Sequence, residues 1–233
     1  MGSALHDRSN DDDNPVVLVI DDDHDVREGL KALLQSVNLD SRTYRSAPEF
    51  FRSKPPDQIS CLILDVRLPG LSGLDFQAEL AKANINIPII FVTGYGDVPM
   101  SVKAMKAGAV EFLTKPVREQ DLLDAVRAAL DRDRRRRKSE EQIQDLRSRF
   151  DALSDREREV MSWVAAGLMN KQVAAAIGIV EVTVKVHRHN IMKKLGAKSL
   201  ADLVRMADAL GLSHKIKTNG RGDLGLNGRS MRV

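Results

Sequence analysis

Short apolar runs and helical patterns alternate along the first 131 residues of the chain. A continuous apolar run that stops at a polar residue is typical of a strand buried on both faces of a parallel sheet. Strands are predicted at 15–20, 40–44, 61–64, 88–92 and 110–113. Apolar residues three and four apart predict helices at 25–37, 47–53, 74–83, 98–107 and 119–131. This alternation predicts an α/β fold, a doubly wound five-stranded parallel sheet with helices on both faces.

From residue 151 onward the pattern is helical throughout. Ser154, followed by Glu157 three residues later, predicts a capping box at the start of a helix that ends at Gly167. Three further helices are predicted at 171–177, 181–195 and 200–210, with Asn170 capping the first and Ser199 the last. The tight turn at Gly178 is typical of a helix-turn-helix, whose second helix enters the major groove of DNA. An all-α domain of four helices is therefore expected to follow the α/β domain.

The segment 132–150 joins the two halves and contains no glycine or proline. Its five-residue cationic run, Arg134 to Lys138, predicts a solvated face or a flexible joint. Ile143, Leu146 and Phe150 repeat three and four residues apart, so the segment can extend the preceding helix. A short dimer seam stays open as an alternative, but these apolar positions are too few for a coiled coil.

Composition narrows the class of protein. With 42% hydrophobic and 30% charged residues, the chain is expected to be soluble and globular. No apolar run approaches the ~18 residues of a membrane helix, and the polar start of the chain does not resemble a signal peptide. The single cysteine, Cys61, cannot form an internal disulfide, which fits a reducing cytosol. A cytoplasmic protein that does not bind membranes is therefore expected.

The net charge of +3 conceals two halves of opposite sign. Residues 1–130 hold 14 Lys and Arg against 20 Asp and Glu, whereas residues 131–233 hold 22 against 13. The basic half favours a polyanionic partner such as nucleic acid, and the aromatic content of 4% argues against a single-stranded one. The predicted organisation is a disordered segment 1–14, an α/β domain 15–131, a charged helical linker 132–150, a helix-turn-helix domain 151–211 and a disordered basic tail 212–233.

Polar side chains follow the predicted strands at the point where each strand ends. Asp21 and Asp22 follow the first strand, Asp65 the third, Thr93 the fourth, and Lys115 lies just past the fifth. The carboxyl ends of parallel strands form the ligand-binding edge of such a sheet, so these side chains are expected to converge. Each one alone has a simpler explanation as a turn former, an N-cap or a solvated charge. Their joint occurrence favours a functional site.

The residue types indicate phosphoryl chemistry. Three neighbouring carboxylates repel one another, and a hard divalent cation such as Mg²⁺ offsets that repulsion. Asp21 and Asp22 are interpreted as the metal pair, and Asp65, in the middle of the sheet, as a nucleophile toward an activated phosphoryl group. The metal and the Lys115 ammonium would neutralise that group, and the Thr93 hydroxyl would donate to one of its oxygens.

Four segments resemble the receiver domain of two-component response regulators. They are VIDDDHDVREGL, LILDVRLPGLSGLDF, FVTGYGDVPMSVKAMKAGA and EFLTKP, which together span residues 19–116. The stretch from Thr93 to Pro116 is most similar to the FixJ subfamily. The resemblance implies a flavodoxin-like fold and a sensor histidine kinase as the partner that phosphorylates Asp65.

The resemblance also implies the roles of individual residues. Mg²⁺ would be bound by Asp21, Asp22, Asp65 and the backbone carbonyl of Arg67. Thr93 and Lys115 would contact the phosphoryl group. Phe112 would be an aromatic switch that rotates inward as Thr93 is drawn to the phosphate. The Lys115–Pro116 bond is often cis in this family, and X-Pro bonds are the only ones in which cis is inexpensive.

The helix predicted at 181–195 has two chemically different faces. Its core side is expected to hold Val184, Ile191 and Leu195, with His187 at the edge, and its outer side Lys185, Arg188, His189 and Met192. Lys185 and His189 lie one turn apart, so both are candidates for contacts with base edges. The candidates for phosphate contacts are Lys171, Thr183, Arg188 and Lys193.

Residues 153–203 resemble the LuxR/NarL-type helix-turn-helix domain, which is also named for FixJ. The matching segments are LSDREREVMSWVAAGLMNKQVAAAIGI and TVKVHRHNIMKKLGAKSLADL. The resemblance implies base contacts from Lys185, Val186 and His189 and a DNA-bound dimer contact from 200–209. Val180 departs from the family, which usually has a serine-like cap there, and losing such a cap costs about 1 kcal/mol.

The expected function is a transcriptional response regulator and not an enzyme. Phosphorylation would promote a homodimer through a face that includes Lys103, Lys106 and Glu111. The dimer would bind double-stranded promoter DNA and RNA polymerase. Activation of transcription is expected rather than repression. Three alternatives stay open: a constitutive DNA-binding regulator with an inert receiver, an aspartyl-phosphate phosphatase, and a basic half that binds RNA or protein. The phosphatase would need a second carboxylate where Arg67 stands.

Overall fold

The computed structural model describes residues 14–94 and 96–212. Of the two predicted disordered ends, 1–13 and 213–233 lie outside the described residues. The chain divides into two compact units, with the boundary between Lys138 and Ser139. Among the described residues, no helix is both long enough and apolar enough to cross a membrane.

The first unit contains a five-stranded parallel sheet in the order β2-β1-β3-β4-β5, which confirms the predicted α/β fold. The strands are β1 Val16–Ile20, β2 Asp40–Tyr44, β3 Ser60–Leu64, β4 Ile89–Thr93 and β5 Glu111–Thr114. The helices are α1 His24–Ser36, α2 Ala47–Arg52, α3 Gly73–Lys82, α4 Val98–Lys106 and α5 Glu119–Asp151. The strand order reverses between β1 and β3, and a crevice at such a reversal is where this type of sheet binds ligands.

The apolar runs form this sheet because both of its faces are covered. Every residue of β1, β3 and β4 is buried. Alternate residues of β1 belong to separate clusters, so Leu18 packs with Phe76 and Phe91 on one face while Val19 packs with Ile90 and Val126 on the other. Two buried faces explain why these strands are almost entirely apolar, and β1 and β3 each end directly before an aspartate.

Helix α5 continues through the predicted linker, which confirms that this segment extends the preceding helix. The cationic run Arg134 to Lys138 was expected to be a solvated face or a flexible joint, and this is wrong for two of its five residues. Arg136 and Arg137 pair with the Asp133 carboxylate, which is fully buried. That carboxylate also accepts the backbone N–H of Ser60, the first residue of β3, at 3.0 Å. Asp133 and its two arginine partners therefore anchor α5 to the amino end of the sheet.

The second unit is helical, as predicted, with one apolar core. Its helices after α5 are α6 Asp155–Ala165, α7 Asn170–Ile177, α8 Glu181–Leu195 and α9 Leu200–Ala209. Leu146 and Phe150 from the end of α5 pack against the same core as Val160, Val184 and Leu203. Gly178 ends α7 with a φ of 68°, in the left-handed region that favours glycine, and this allows the tight turn into α8.

The predicted helix caps are mostly confirmed. Ser154 and Glu157 form the capping box of α6, and Ser199 caps α9. The prediction for Asn170 is wrong, because α7 already begins at that residue and Met169 is its N-cap. The Gln172 side chain accepts the Met169 N–H at 2.8 Å. The Asn170 side chain does not cap α7 and instead accepts a hydrogen bond from Arg188 on α8.

We expect Asp133→Asn to lower the free energy of unfolding of the first unit by about 3 kcal/mol, because breaking a buried ion pair leaves its partners uncompensated. The matched control is Asp131→Asn, which removes an exposed pair with Arg134 and should cost less than about 1 kcal/mol. Urea unfolding followed by circular dichroism measures both changes. Fluorescence of Trp163, the only tryptophan, reports separately on the second unit. Equal stability of the two variants would contradict the anchoring role.

Glu157 links the stability of the second unit to pH. Its carboxylate accepts hydrogen bonds from the Lys194 amine at 2.7 Å and from the Ser154 backbone at 2.9 Å. The Lys194 hydrogen bond is the main cause that lowers the pKa of Glu157 below its ordinary value of 4.5. A carboxyl with a lowered folded-state pKa contributes stability above its unfolded value and loses it as pH falls through the folded value.

We therefore expect Glu157→Gln to lower the free energy of unfolding of the second unit by about 1 to 2 kcal/mol at neutral pH, since it weakens both the cap and the ion pair. The difference between variant and wild type should shrink as pH falls below the ordinary value of 4.5. Urea unfolding monitored by Trp163 fluorescence across that range measures it. A difference that stays constant with pH would contradict the assignment.

Candidate functional site

Side chains from the ends of four strands meet in one cleft at the carboxyl edge of the sheet. Asp21 follows β1, Asp65 follows β3, Thr93 ends β4, and Lys115 follows β5. These residues line an open cleft of about 350 Å³ together with Asp22, Asp23, Val26, Arg67 and Gly94. These side chains therefore converge in the structure, as predicted, and Arg67 also lines the cleft.

Local hydrogen bonds orient the two buried carboxylates. One oxygen of Asp21 accepts the Asp23 backbone N–H at 2.9 Å, and one oxygen of Asp65 accepts the Arg67 N–H at 3.0 Å. Each carboxylate is thus bound by the turn that follows its own strand. Helix α3 approaches so closely that a Cβ on Gly73 would collide with the carbonyl oxygen of Asp65. Glycine is therefore required where α3 passes the cleft.

Lys115 bridges the two carboxylates. Its amine lies 2.7 Å from one oxygen of Asp21 and 3.1 Å from one oxygen of Asp65. Burial raises the pKa of Asp21, and the hydrogen bond from Lys115 works against that rise. Burial alone would lower the pKa of Lys115, but its hydrogen bonds to the two aspartates outweigh the effect and raise it. The amine therefore stays charged at neutral pH. The Lys115–Pro116 bond is cis, as the resemblance implies.

The donor set of the cleft fits a hard divalent cation. Carboxylate oxygens of Asp21, Asp22 and Asp65 lie within 4.8 Å of one another. Asp22 is exposed, whereas the other two are buried. Clustered carboxylate oxygens with room for water are the ligands that Mg²⁺ prefers. The three residues expected to bind a metal are therefore brought together.

Thr93 and Phe112 lie near the cleft but in different settings. Thr93 is fully buried at the end of β4. Phe112, on the neighbouring strand β5, is half-buried and packs against the core, with its ring centroid 6.0 Å from that of Phe91. The structure thus places the predicted switch residue beside the sheet edge, in partial contact with solvent.

Two residues that support the cleft were not predicted from the sequence. Arg27 donates to the backbone carbonyl of Asp21 at 2.8 Å, and Asp23 caps α1. The helical spacing of α1 could have indicated Arg27, because it lies one turn into the helix that starts at the cleft. Both residues hold the β1–α1 turn in place.

The outer face of α8 in the second unit presents the predicted base-contacting residues to solvent. Lys185, Val186 and His189 are exposed, as are Lys171 on α7 and Lys193 on α8. Thr183 is half-buried in the first turn of α8. Lys185 forms a 3.1 Å ion pair with Glu181, a neighbour that the sequence prediction did not consider.

Two residues assigned to the outer face of α8 are placed differently. Met192 packs against the core of the second unit. Arg188 is half-buried, and its guanidinium donates to the Asn170 side chain at the start of α7. The contact joins the two helices of the helix-turn-helix, and it explains why Asn170 is not used as a cap. The inner positions Val184, Ile191 and Leu195 are fully buried, as predicted.

Comparisons with known proteins agree with both halves of the chain. The family model "Response regulator receiver domain" matches residues 17–127, and the model "Bacterial regulatory proteins, luxR family" matches residues 151–207. The chain is 57% identical over 198 residues to Nodulation protein W of Bradyrhizobium diazoefficiens, which covers 85% of this chain and 87% of that protein.

Further similarity extends over most of the chain. It is 42% identical over 197 residues to Transcriptional regulatory protein FixJ of Azorhizobium caulinodans, which covers 84% of this chain and 93% of that protein. The solved structure of Response Regulator StyR matches with a TM-score of 0.71 and 49% identity, covering 84% of this chain and 98% of that chain. The chain therefore belongs to the response regulators that combine a receiver domain with a luxR-type DNA-binding domain, a family that includes FixJ.

Proposed function

We propose that this protein is a phosphorylation-controlled transcriptional regulator in the cytoplasm, in which Asp65 accepts a phosphoryl group from a sensor histidine kinase. The receiver is assigned to 15–131, the linker to 132–150 and the helix-turn-helix domain to 151–211. The observation that carries the proposal is the cleft in which Lys115 bonds to both Asp21 and Asp65. A buried carboxylate beside a charged amine is suited to accept an anionic group, because the amine offsets the added charge.

In the proposed transfer, a carboxylate oxygen of Asp65 attacks the phosphorus of a phosphohistidine on the kinase. An O–P bond forms while the N–P bond of the donor breaks, and the histidine nitrogen keeps the electron pair. The product is an acyl phosphate on Asp65. The Lys115 ammonium stays beside the new anion, and the Thr93 hydroxyl donates to a phosphoryl oxygen.

Asp21, Asp22, Asp65 and the backbone carbonyl of Arg67 would hold a magnesium ion in this cleft. When bound, the ion supplies positive charge against the carboxylates and the phosphoryl oxygens. Backbone groups around the site orient the carboxylates. The Asp23 and Arg67 backbone N–H groups fix one oxygen of Asp21 and one of Asp65, respectively.

The β4–α4–β5 region would pass the charge change to the surface. Thr93, drawn toward the phosphoryl group, would leave space for Phe112 to rotate inward. Next to them α4 exposes an apolar stripe with spacings of four and three residues, formed by Val98, Val102 and Met105. Charged side chains border the stripe, which is suited to a homodimer interface; those assigned to it are Lys103, Lys106 and Glu111.

The second unit would bind promoter DNA through α8 and recruit RNA polymerase. Lys185, Val186 and His189 are assigned to base edges in the major groove. Lys171, Thr183, Arg188 and Lys193 are assigned to phosphates, and 200–209 to a contact between the two DNA-bound copies. A receiver dimer would raise affinity, because it makes binding of the second half-site intramolecular.

We expect the wild type, incubated with Mg²⁺ and acetyl phosphate, to gain the mass of one phosphoryl group and to shift toward a dimer in sedimentation velocity. Asp65→Asn should show neither change, because an amide cannot form the acyl phosphate. The matched control is Asp75→Asn, an exposed acid on α3 that lies outside the cleft, and it should behave as the wild type.

Each contrary result identifies a different protein. Absence of phosphorylation on the wild type would indicate a constitutive regulator with an inert receiver. Multiple turnover of a phosphomonoester at Asp65 would indicate a phosphatase. Phosphorylation without any change in association or in DNA binding would contradict the proposed coupling.

For DNA contacts, we expect Lys185→Ala and His189→Ala each to cost about 1 to 3 kcal/mol on a duplex selected from a random pool and to relax the base preference. Lys193→Ala should weaken all duplexes alike and reduce the salt dependence by about one counterion. The matched control is Lys138→Ala, an exposed cation outside the helix-turn-helix. Fluorescence anisotropy at several salt concentrations measures these effects. Uniform losses from Lys185→Ala and His189→Ala would contradict base contact.

A further inference from the structure

We propose that Val182 and Val186 contact thymine methyl groups, which adds Val182 to the residues that determine DNA sequence preference. The inference rests on the proposed function, because it assumes that α8 enters the major groove. It goes further in assigning a chemical preference, for 5-methylpyrimidine edges, to the amino-terminal half of that helix.

One stripe of exposed residues runs along the outward face of α8, next to the exposed side chains of Glu181 and Lys185. Val182, Val186, His189 and Lys193 are spaced four, three and four residues apart, so they lie above one another on a single side of the helix. The opposite side is fully buried in the core of the second unit. The stripe is therefore the part of α8 that projects farthest from its own domain.

The stripe changes chemistry halfway along the helix. Its carboxyl-terminal half has the imidazole and ammonium groups of His189 and Lys193. Its amino-terminal half is apolar, and Val182 is 67% exposed and Val186 53% exposed. In a helix-turn-helix, the amino-terminal residues of the second helix contact the base edges. The deepest contacts of α8 would thus be made by valines.

Apart from the Thr183 hydroxyl, the start of α8 is poorly suited to the common alternative, a phosphate bound at the helix amino terminus. The first residue is Glu181, and the Val180 side chain makes no capping hydrogen bond. A carboxylate at this position repels phosphate, although it complements the helix dipole. The apolar group that the major groove displays is the thymine 5-methyl, so it is the partner that fits these side chains.

The test removes single methyl groups from the DNA. A duplex site is first selected from a random pool with the full-length protein, phosphorylated by acetyl phosphate. Each thymine of the site is then replaced by deoxyuridine, which lacks only the methyl. Burying one methyl group is worth roughly fourfold in affinity. We expect about that loss at one thymine per valine in each half-site, and no further loss there when Val182→Ala or Val186→Ala is already present.

The matched control is Val180→Ala, because Val180 is equally exposed at 67% but precedes the helix and lies off the stripe. That variant should keep the wild-type response to deoxyuridine. Equal binding of thymine and deoxyuridine sites, or valine variants that still respond to the methyl, would overturn the inference while the proposed DNA binding stands. Failure of the wild type to select any duplex would overturn both.

Discussion

The first unit depends on the electrostatics of two buried carboxylates at one sheet edge. Parallel packing of β1 and β3 brings Asp21 and Asp65 together, and both are withdrawn from water. Buried like charges are unfavourable unless a cation and hydrogen bonds compensate them. Lys115 supplies the cation, and the backbone N–H groups of the following turns supply the hydrogen bonds. One added anion, as proposed for Asp65, would disturb this balance because Lys115 already bonds to both carboxylates.

The strand ends were predictable because burial on both faces leaves a simple mark in sequence. A strand that is covered on both sides reads as continuously apolar, so Asp21 and Asp65 stand out at the first polar position after it. Helix caps at Ser154 and Ser199 were predictable for a related reason, since capping depends on residues only three apart. Strand ends and helix caps were therefore predicted correctly because each depends on residues that are close together in sequence.

The errors lie where the partner is far along the chain. Asp133 sits in a highly charged segment, and nothing nearby shows that its carboxylate meets the Ser60 N–H from β3, 73 residues away. Asn170 has the side chain of a good N-cap, yet a partner on α8 takes its amide oxygen. In both cases a tertiary contact overrides a local preference. This is possible because a local and a tertiary hydrogen bond stabilise the fold by similar amounts, about 1 kcal/mol each.

The charges of the second unit bear on how the proposed dimer would affect DNA binding. Several cations of α8 are engaged within the protein, namely Lys185 with Glu181, Lys194 with Glu157, and Arg188 with Asn170. The two carboxylate pairs, Lys185 with Glu181 and Lys194 with Glu157, reduce the phosphate attraction of a single copy below what the basic composition suggests. A domain that binds weakly alone gains most from a second copy, because tethered half-site binding multiplies the two affinities. The two ion pairs of α8 would therefore make DNA binding depend more strongly on the proposed receiver dimer.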